Sequence, residues 1–190
     1  MERWEVAPGL WHWAERHPDW EPGAEPESVG DWPEEVGSVV AEIGGEPVIV
    51  DPLVRDDEGW AWLDERVAGR PVHVLTTNPA HERSRPDVLA RYGGDEQAPP
   101  GVRLIPVGEE TLVWLEPYRA LVTGDRIIGD GRDGLRRCPQ SWSELPDAEL
   151  RARLLPLLEL PVQRVLVSHG ESLFSEAGPA LRAAIEAPAE

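Results

Sequence analysis

The chain has 190 residues, 41% of them hydrophobic and nine of them tryptophan, which excludes a disordered chain and suffices for one domain whose core needs no covalent staples. Its 36 acidic residues face 18 basic ones, all arginine, and the net charge of −18 opposes nucleic acid and anionic membranes as partners. No apolar run approaches the roughly 20 residues of a membrane helix, the first residues lack the basic-then-apolar layout of a secretion signal, and the single cysteine, Cys138, has no internal disulfide partner, so a cytoplasmic protein is expected. Missing lysine beside abundant Ala, Gly, Pro and Arg fits a GC-rich genome, and the acidic balance fits a salt-adapted host equally well.

Residues 1–35 are rich in Trp, Pro and Glu, too apolar for a linker, and read as an N-terminal strand and a covering loop. Two β-rich runs, 36–43 and 46–50, flank Gly44-Gly45, a strong hairpin signal. From Glu58 to Ala68, Trp62, Leu63 and Val67 fall at helical spacing and Gly69 stops the run. A strand over 72–76 leads through a polar loop to a short helix from Arg85 to Tyr92, with Ser84 as the expected N-cap and Gly93 as the stop. Strands are expected over 102–106, 111–116, 119–123 and 126–128, joined by tight turns. A helix from Asp147 to Leu160 carries leucines at helical spacing despite Pro156; a strand over 164–168 and a helix over 179–187 close the chain. Hairpins first, then meandering strands with helices at intervals, fit an α/β (α+β) arrangement of two sheets packed face to face with helices outside. A doubly wound parallel sheet would need more regular alternation of strand and helix.

Three of these strands end on polar groups: 72–76 runs into Thr77-Asn78-Pro79-Ala80-His81-Glu82-Arg83-Ser84, 120–123 into Gly124-Asp125, and 164–168 into His169-Gly170-Glu171. The C-terminal ends of strands are the usual position of ligand sites in layered α/β proteins. Each residue also has a plainer role: His169 could bond across strand ends, Asp125 could accept turn amides, and His81 and Arg83 could belong to a solvated loop. Isolated His12, His17 and His73 read as structural or surface residues, and Cys138 as a structural thiol. Glu109-Glu110 could pair with Asp125 as acid and base, but adjacent strand residues point to opposite faces. Ser141 and Ser168 lack the Gly-x-Ser-x-Gly elbow of a serine hydrolase. Arg83, Arg85, Arg136 and Arg137 could hold an anionic substrate, though exposed ion pairs account for them more cheaply.

In order and spacing, these segments resemble the metallo-β-lactamase superfamily over about residues 36–175. Val48-Ile49-Val50-Asp51 is similar to the family strand that ends in an aspartate. Thr77-Asn78-Pro79-Ala80-His81-Glu82 stands where the family has His-x-His-x-Asp-His, Gly124-Asp125 looks like its Gly-Asp, and Ser168-His169-Gly170 like its terminal histidine motif. The family's intervening histidine has no counterpart in Val107-Gly108-Glu109-Glu110-Thr111. The resemblance implies a four-layer αββα sandwich of two mixed sheets flanked by helices, one domain over 1–190, and hydrolysis of a small substrate by metal-activated water. A dinuclear zinc site needs about seven protein donors. Thr77, Pro79 and the missing histidine remove those of the first metal, so no two-metal centre is expected. What remains, His81, Asp125 and His169, would serve as catalytic residues holding at most one zinc or iron ion. Arg83, Glu82 and Trp142 would contact a small-molecule substrate, Arg83 orienting an anionic or carbonyl group. The competing reading is a catalytically silent member, with no metal, that binds a small molecule or a protein.

Overall fold

The computed structural model describes residues 1–23 and 33–188. A first sheet takes its strands in chain order: β1 (Glu2–Ala7), β2 (Leu10–Arg16), β3 (Glu35–Ile43), β4 (Glu46–Val50), β5 (Val72–Leu75) and the short β6 (Gly94–Asp95). It is antiparallel as far as β4 and parallel from β4 to β6. A second sheet combines β7 (Val102–Val107), β8 (Glu110–Leu115) and β9 (Ala120–Thr123) with β12 (Arg164–Val167), in the order β12-β9-β8-β7, with β12 parallel to β9 and the rest antiparallel. Between them in sequence, β10 (Ile127–Gly129) and β11 (Leu135–Arg137) form a separate ribbon. The helices are α1 (Asp57–Val67), α2 (Arg85–Tyr92), α3 (Asp147–Leu154) and α4 (Ala177–Glu186). None of them is long and apolar enough to cross a membrane.

Strand periodicity produces the layers. Along β3 and β4, Val39, Ala41, Val48 and Val50 point into one core while Val40 and Ile49 point into another, as the period of two requires. The first of these cores lies between the sheets and receives Val113, Leu115, Ala120, Val122 and Leu166 from the second sheet. Its neighbour joins the outer face of the first sheet to Trp62, Leu63 and Val67 of α1 and Val88 of α2. Leu112, Trp114, Leu121, Val165 and Val167, on the opposite face of the second sheet, pack under Leu150 and Leu154 of α3 and Leu181 and Ile185 of α4. The result is the expected four-layer sandwich. Each fully buried Leu, Val or Ile, on strand or helix, contributes roughly 1.5–3 kcal/mol of transfer free energy.

Several local expectations are corrected. Residues 1–16 form two strands rather than one, because Pro8-Gly9, with Gly9 at φ +82°, reverses the chain into an antiparallel pair. Residues 24–32 of the expected covering loop fall outside the described residues. Ser84 makes no side-chain cap to α2; its hydroxyl accepts from the Val54 amide at 3.0 Å and ties the loop after β4 to the start of α2. The helix from Asp147 ends at Leu154 and continues as a tighter turn over Leu155–Glu159, since Pro156 lacks the N–H that an α-helix would use. Strand β11 had no clear periodic signal in three residues.

Candidate functional site

Four strands deliver polar residues to one edge of the sandwich. The parallel neighbours β4 and β5 end at Asp51 and at Thr77-Asn78, and the parallel neighbours β9 and β12 end at Gly124-Asp125 and Ser168-His169. The two sheets are stitched together here. Val36 bridges His169, and the Gly37 amide donates to the Ser168 carbonyl at 2.8 Å. Gly37 permits this approach because a Cβ there would stand 2.3 Å from the Val167 carbonyl oxygen. At Gly124 a Cβ would sit 2.5 Å from Thr77 Oγ1, so a side chain would push the β9 turn away from β5.

His81, Asp125 and His169 converge, with one ligand atom from each lying within 4.8 Å of the others. Asp125 Oδ1 stands 3.3 Å from His81 Nε2 and 3.1 Å from His169 Nε2. The other Asp125 oxygen, Oδ2, accepts from Asn78 Nδ2 at 2.7 Å, which turns Oδ1 towards the imidazoles. Behind His81, the buried Asp51 carboxylate takes the Thr77 amide at 2.7 Å and the Thr77 hydroxyl, and lies 2.9 Å from His81 Nδ1. Behind Asp125, the buried Glu110 carboxylate accepts the amides of Gly124, Asp125 and Arg126 at 2.9, 2.7 and 2.9 Å. Asp51 and Arg83 both have left-handed backbone, φ +49° and +44°, the kind of strain that other contacts must hold in place. Those contacts include Arg83 Nη1, which donates to the carbonyls of Gly37 and Asp51 at 2.8 and 3.0 Å.

The electrostatics divide the imidazoles. Burial opposes a charge on His81, but the Asp51 carboxylate and the close Asp125 oxygen overcome it and push the pKa up to about 9. At His169 burial dominates over Asp125 and lowers the pKa. Burial also works against the Asp125 charge, yet the two imidazoles hold its carboxyl well below the usual range, and His81 and Arg83 do the same for Asp51. Burial, reinforced by the Asp125 charge, drives Glu110 up to about 7 in spite of its three amide donors.

Beside this cluster a cavity of about 500 Å³ is lined by Asn78, Pro79, Glu109, Asp125, Arg126 and Trp142. The Trp142 ring packs edge-on against His169 at 5.5 Å between centroids. Glu82 is displaced from its expected place: it is exposed and paired with Arg85 at 2.7 Å, because the turn Pro79–His81 carries the next side chain outward. Arg137 is engaged otherwise: it is tied to Asp147, to the carbonyls of Ala184 and Ile185 at the end of α4, and to that of Ala187 just beyond it. Cys138 is buried, and burial raises its pKa.

Sequence reasoning missed three contributors. His17, read as structural or surface, stacks over His169 at 6.2 Å, and burial together with the charges of His169 and Arg83 lowers its pKa to about 4. Glu110, weighed only as an acid–base partner, holds the Asp125 turn instead, so the turn amides go to Glu110 and not to Asp125. Asn78 was read only as part of a polar loop. A local signal existed for Asn78 alone, which caps the Pro79–His81 turn as Asn before Pro commonly does. His12 is buried against Phe174 and near the Val167 carbonyl, and His73 pairs with Asp95 and Glu46 at the surface.

No protein-family model and no curated protein matches the chain. Solved structures do match over nearly its whole length. The metallo-β-lactamase from Hirschia baltica superposes with a TM-score of 0.64 at 14% identity, over 97% of this chain and 95% of that one. FIM-1 from Pseudomonas aeruginosa, solved in a mono-zinc form, gives 0.60 at 12% identity over 98% and 96%, and VMB-1 gives 0.60 at 12% over 97% and 94%. The chain therefore has the metallo-β-lactamase fold.

Proposed function

We propose that the protein is a hydrolase of small molecules with a reduced, mononuclear metal site formed by His81, Asp125 and His169. The observation that carries this reading is the convergence of two imidazole nitrogens and one carboxylate oxygen on a single point beside an open cavity. Two imidazoles and a carboxylate suit zinc or ferrous iron with positions left open. The positions the resemblance would assign to another metal are otherwise engaged in this reading: Thr77 is hydrogen-bonded to Asp51 and Pro79 has no side-chain donor, while the nearby Glu110 is occupied by three amides.

When bound, the ion supplies Lewis acidity and lowers the pKa of water. The chain's own residues do the positioning. Asp51 accepts from Nδ1 of His81 and so presents the lone pair of Nε2, the carboxylate–histidine arrangement that supports metal ligands. Asn78 and Glu110 fix the carboxylate and the backbone of Asp125. Trp142 walls the cavity next to His169, where a substrate of small size would be placed.

A second reading has its own support. Asp51 and Asp125 flank His81 and satisfy it as an imidazolium, so the cluster is also self-consistent without a metal, as a binding module would require. Metal analysis of protein purified without a histidine tag, with thermal melts of wild type and Asp125→Ala with and without Zn²⁺, separates the two. Bound metal and a Zn²⁺-dependent rise in Tm, lost in Asp125→Ala while the fold survives, is the outcome expected of the hydrolase. Melts insensitive to Zn²⁺ in both proteins end it.

A further inference from the structure

Two cavities meet at the end of the β7–β8 hairpin. The one beside the His81–Asp125–His169 cluster has a neighbour of about 320 Å³, and the two share Asn78, Pro79 and Glu109 in their walls. Glu109 stands exposed where they join. Its place is built by the hairpin: Gly108, left-handed at φ +66°, brings the turn so close to Glu144 that a Cβ there would collide with it, and the Glu109 amide donates to Glu144 Oε1 at 2.8 Å. The adjacent glutamates therefore divide their tasks, Glu110 holding the Asp125 turn from inside and Glu109 lining the cleft.

The charges lining this cleft are matched, except one. Arg126 is tied to Glu144 and to the Trp142 carbonyl, at 2.6 Å for the latter. Arg85 is held between Glu82 and Glu96 at 2.7 Å from each. Asp125 faces its two imidazoles. The Glu109 carboxylate has no ion pair or hydrogen bond among the described residues, and Arg83 lines neither cavity. Trp142 lines the same cavity as Glu109. An unpaired carboxylate and an aromatic ring in one cavity are the two parts that recognise an ammonium group, the first by a charge-assisted hydrogen bond and the second by the quadrupole of its face. The net charge of −18 adds a long-range attraction for cations.

We infer that the cleft takes a substrate bearing an ammonium group, held by Glu109 and Trp142. This deepens the hydrolase reading and rests on it only for the bond that is broken; the cation site itself stands on Glu109 and Trp142. Both are specificity-determining residues in this proposal, and neither transfers a proton. Since the Trp142 ring packs against His169, the ammonium lies a short chain away from the hydrolysed bond.

The test is an amide and indole NMR titration of metal-free wild type, Glu109→Gln and Trp142→Leu with n-butylammonium, neutral n-butanol and n-butyrate; Zn²⁺ uptake is measured separately by equilibrium dialysis. Butylammonium should shift the signals of Asn78, Glu109 and Trp142 with saturation, the other two probes should not, and each variant should weaken its binding about threefold or more. Equal binding of butanol or butyrate, equal binding of butylammonium to Glu109→Gln, or shifts spread over the acidic surface overturns the proposal. If Zn²⁺ is taken up and butylammonium binding does not depend on Glu109, the cation site falls and the metal reading stands. If no Zn²⁺ is taken up and butylammonium binding still depends on Glu109, the hydrolase reading falls and the cation site stands. If Trp142→Leu does not fold, Glu109→Gln decides alone.

Discussion

The two sides of the Asp125 carboxylate behave differently although the same ring type stands on each. On one side His81 is backed by a second carboxylate, Asp51, and its pKa is pushed up to about 9; on the other, burial outweighs Asp125 and lowers the pKa of His169. The ring nitrogens approach Asp125 Oδ1 at nearly the same distance, 3.3 and 3.1 Å, so the contact they share does not explain the split. What stands behind each ring does. His81 has a carboxylate at each ring nitrogen, and together they outweigh the cost of burying its charge.

The largest expected effect comes from removing the backing carboxylate. Asp51→Asn should cost about 3–5 kcal/mol near neutral pH, because a buried pair loses one partner and one of the two Thr77 donors loses its acceptor oxygen. Urea unfolding of the two proteins measures it, and a loss below about 1 kcal/mol would mean that the pair is already dispensable. The pH dependence sharpens the point. A histidine whose folded pKa lies above its ordinary value of 6.5 adds stability that is complete below that value and disappears as pH rises through about 9. Metal-free wild type should therefore lose its advantage over Asp51→Asn across that window, by no more than about 3 kcal/mol. An advantage that stays constant from pH 6 to about pH 10 would remove Asp51 as the cause of the shift.

Glu110→Gln comes next. The amide retains one acceptor oxygen for three amide donors, so the Asp125 turn loosens; Zn²⁺ affinity by equilibrium dialysis should fall about tenfold and stability by about 1–2 kcal/mol. Unchanged affinity would show that Asp125 is held from the Asn78 side alone. Asn78→Ala, which frees Oδ2 while leaving the backbone in place, should cost about 1 kcal/mol and reduce Zn²⁺ affinity only a few-fold. The smallest effect belongs to Glu82→Gln: its ion pair with Arg85 is exposed, so stability should change by less than about 0.5 kcal/mol and Zn²⁺ uptake should not change. A loss of metal with this variant would return Glu82 to the site.

Much of the fold was legible residue by residue. Gly44-Gly45 between two β-rich runs, the leucines of α3 and the apolar run before His169 are local signals, and each produced an element of the type it implied, the helix stopping at Leu154 instead of Leu160. The site was legible in part. His81, Asp125 and His169 each follow an apolar strand and stand where a turn releases the side chain, and the resemblance to a known family grouped them. Glu110 was not legible, because its partners at Gly124, Asp125 and Arg126 lie across the β8–β9 hairpin and nothing in Glu109-Glu110 indicates which of the two faces inward. His17 was not legible either: an isolated histidine at the end of β2 has no local reason to meet His169 at the end of β12.

By itself the amino-acid sequence determined which residues form strands, which faces are apolar, and which chemical groups stand at the strand ends, since these follow from short-range periodicity and turn chemistry. The tertiary structure decided what faces what. Gly37 lets the first sheet press against Ser168 and His169, and that approach, through the Val36–His169 bridge, helps bring the imidazoles that follow β5 and β12 to the carboxylate oxygen that follows β9. It also decided the direction in which each ring's pKa moves, because a pKa depends on burial and on the nearest carboxylate, and both are set by the packing of segments far apart in the chain.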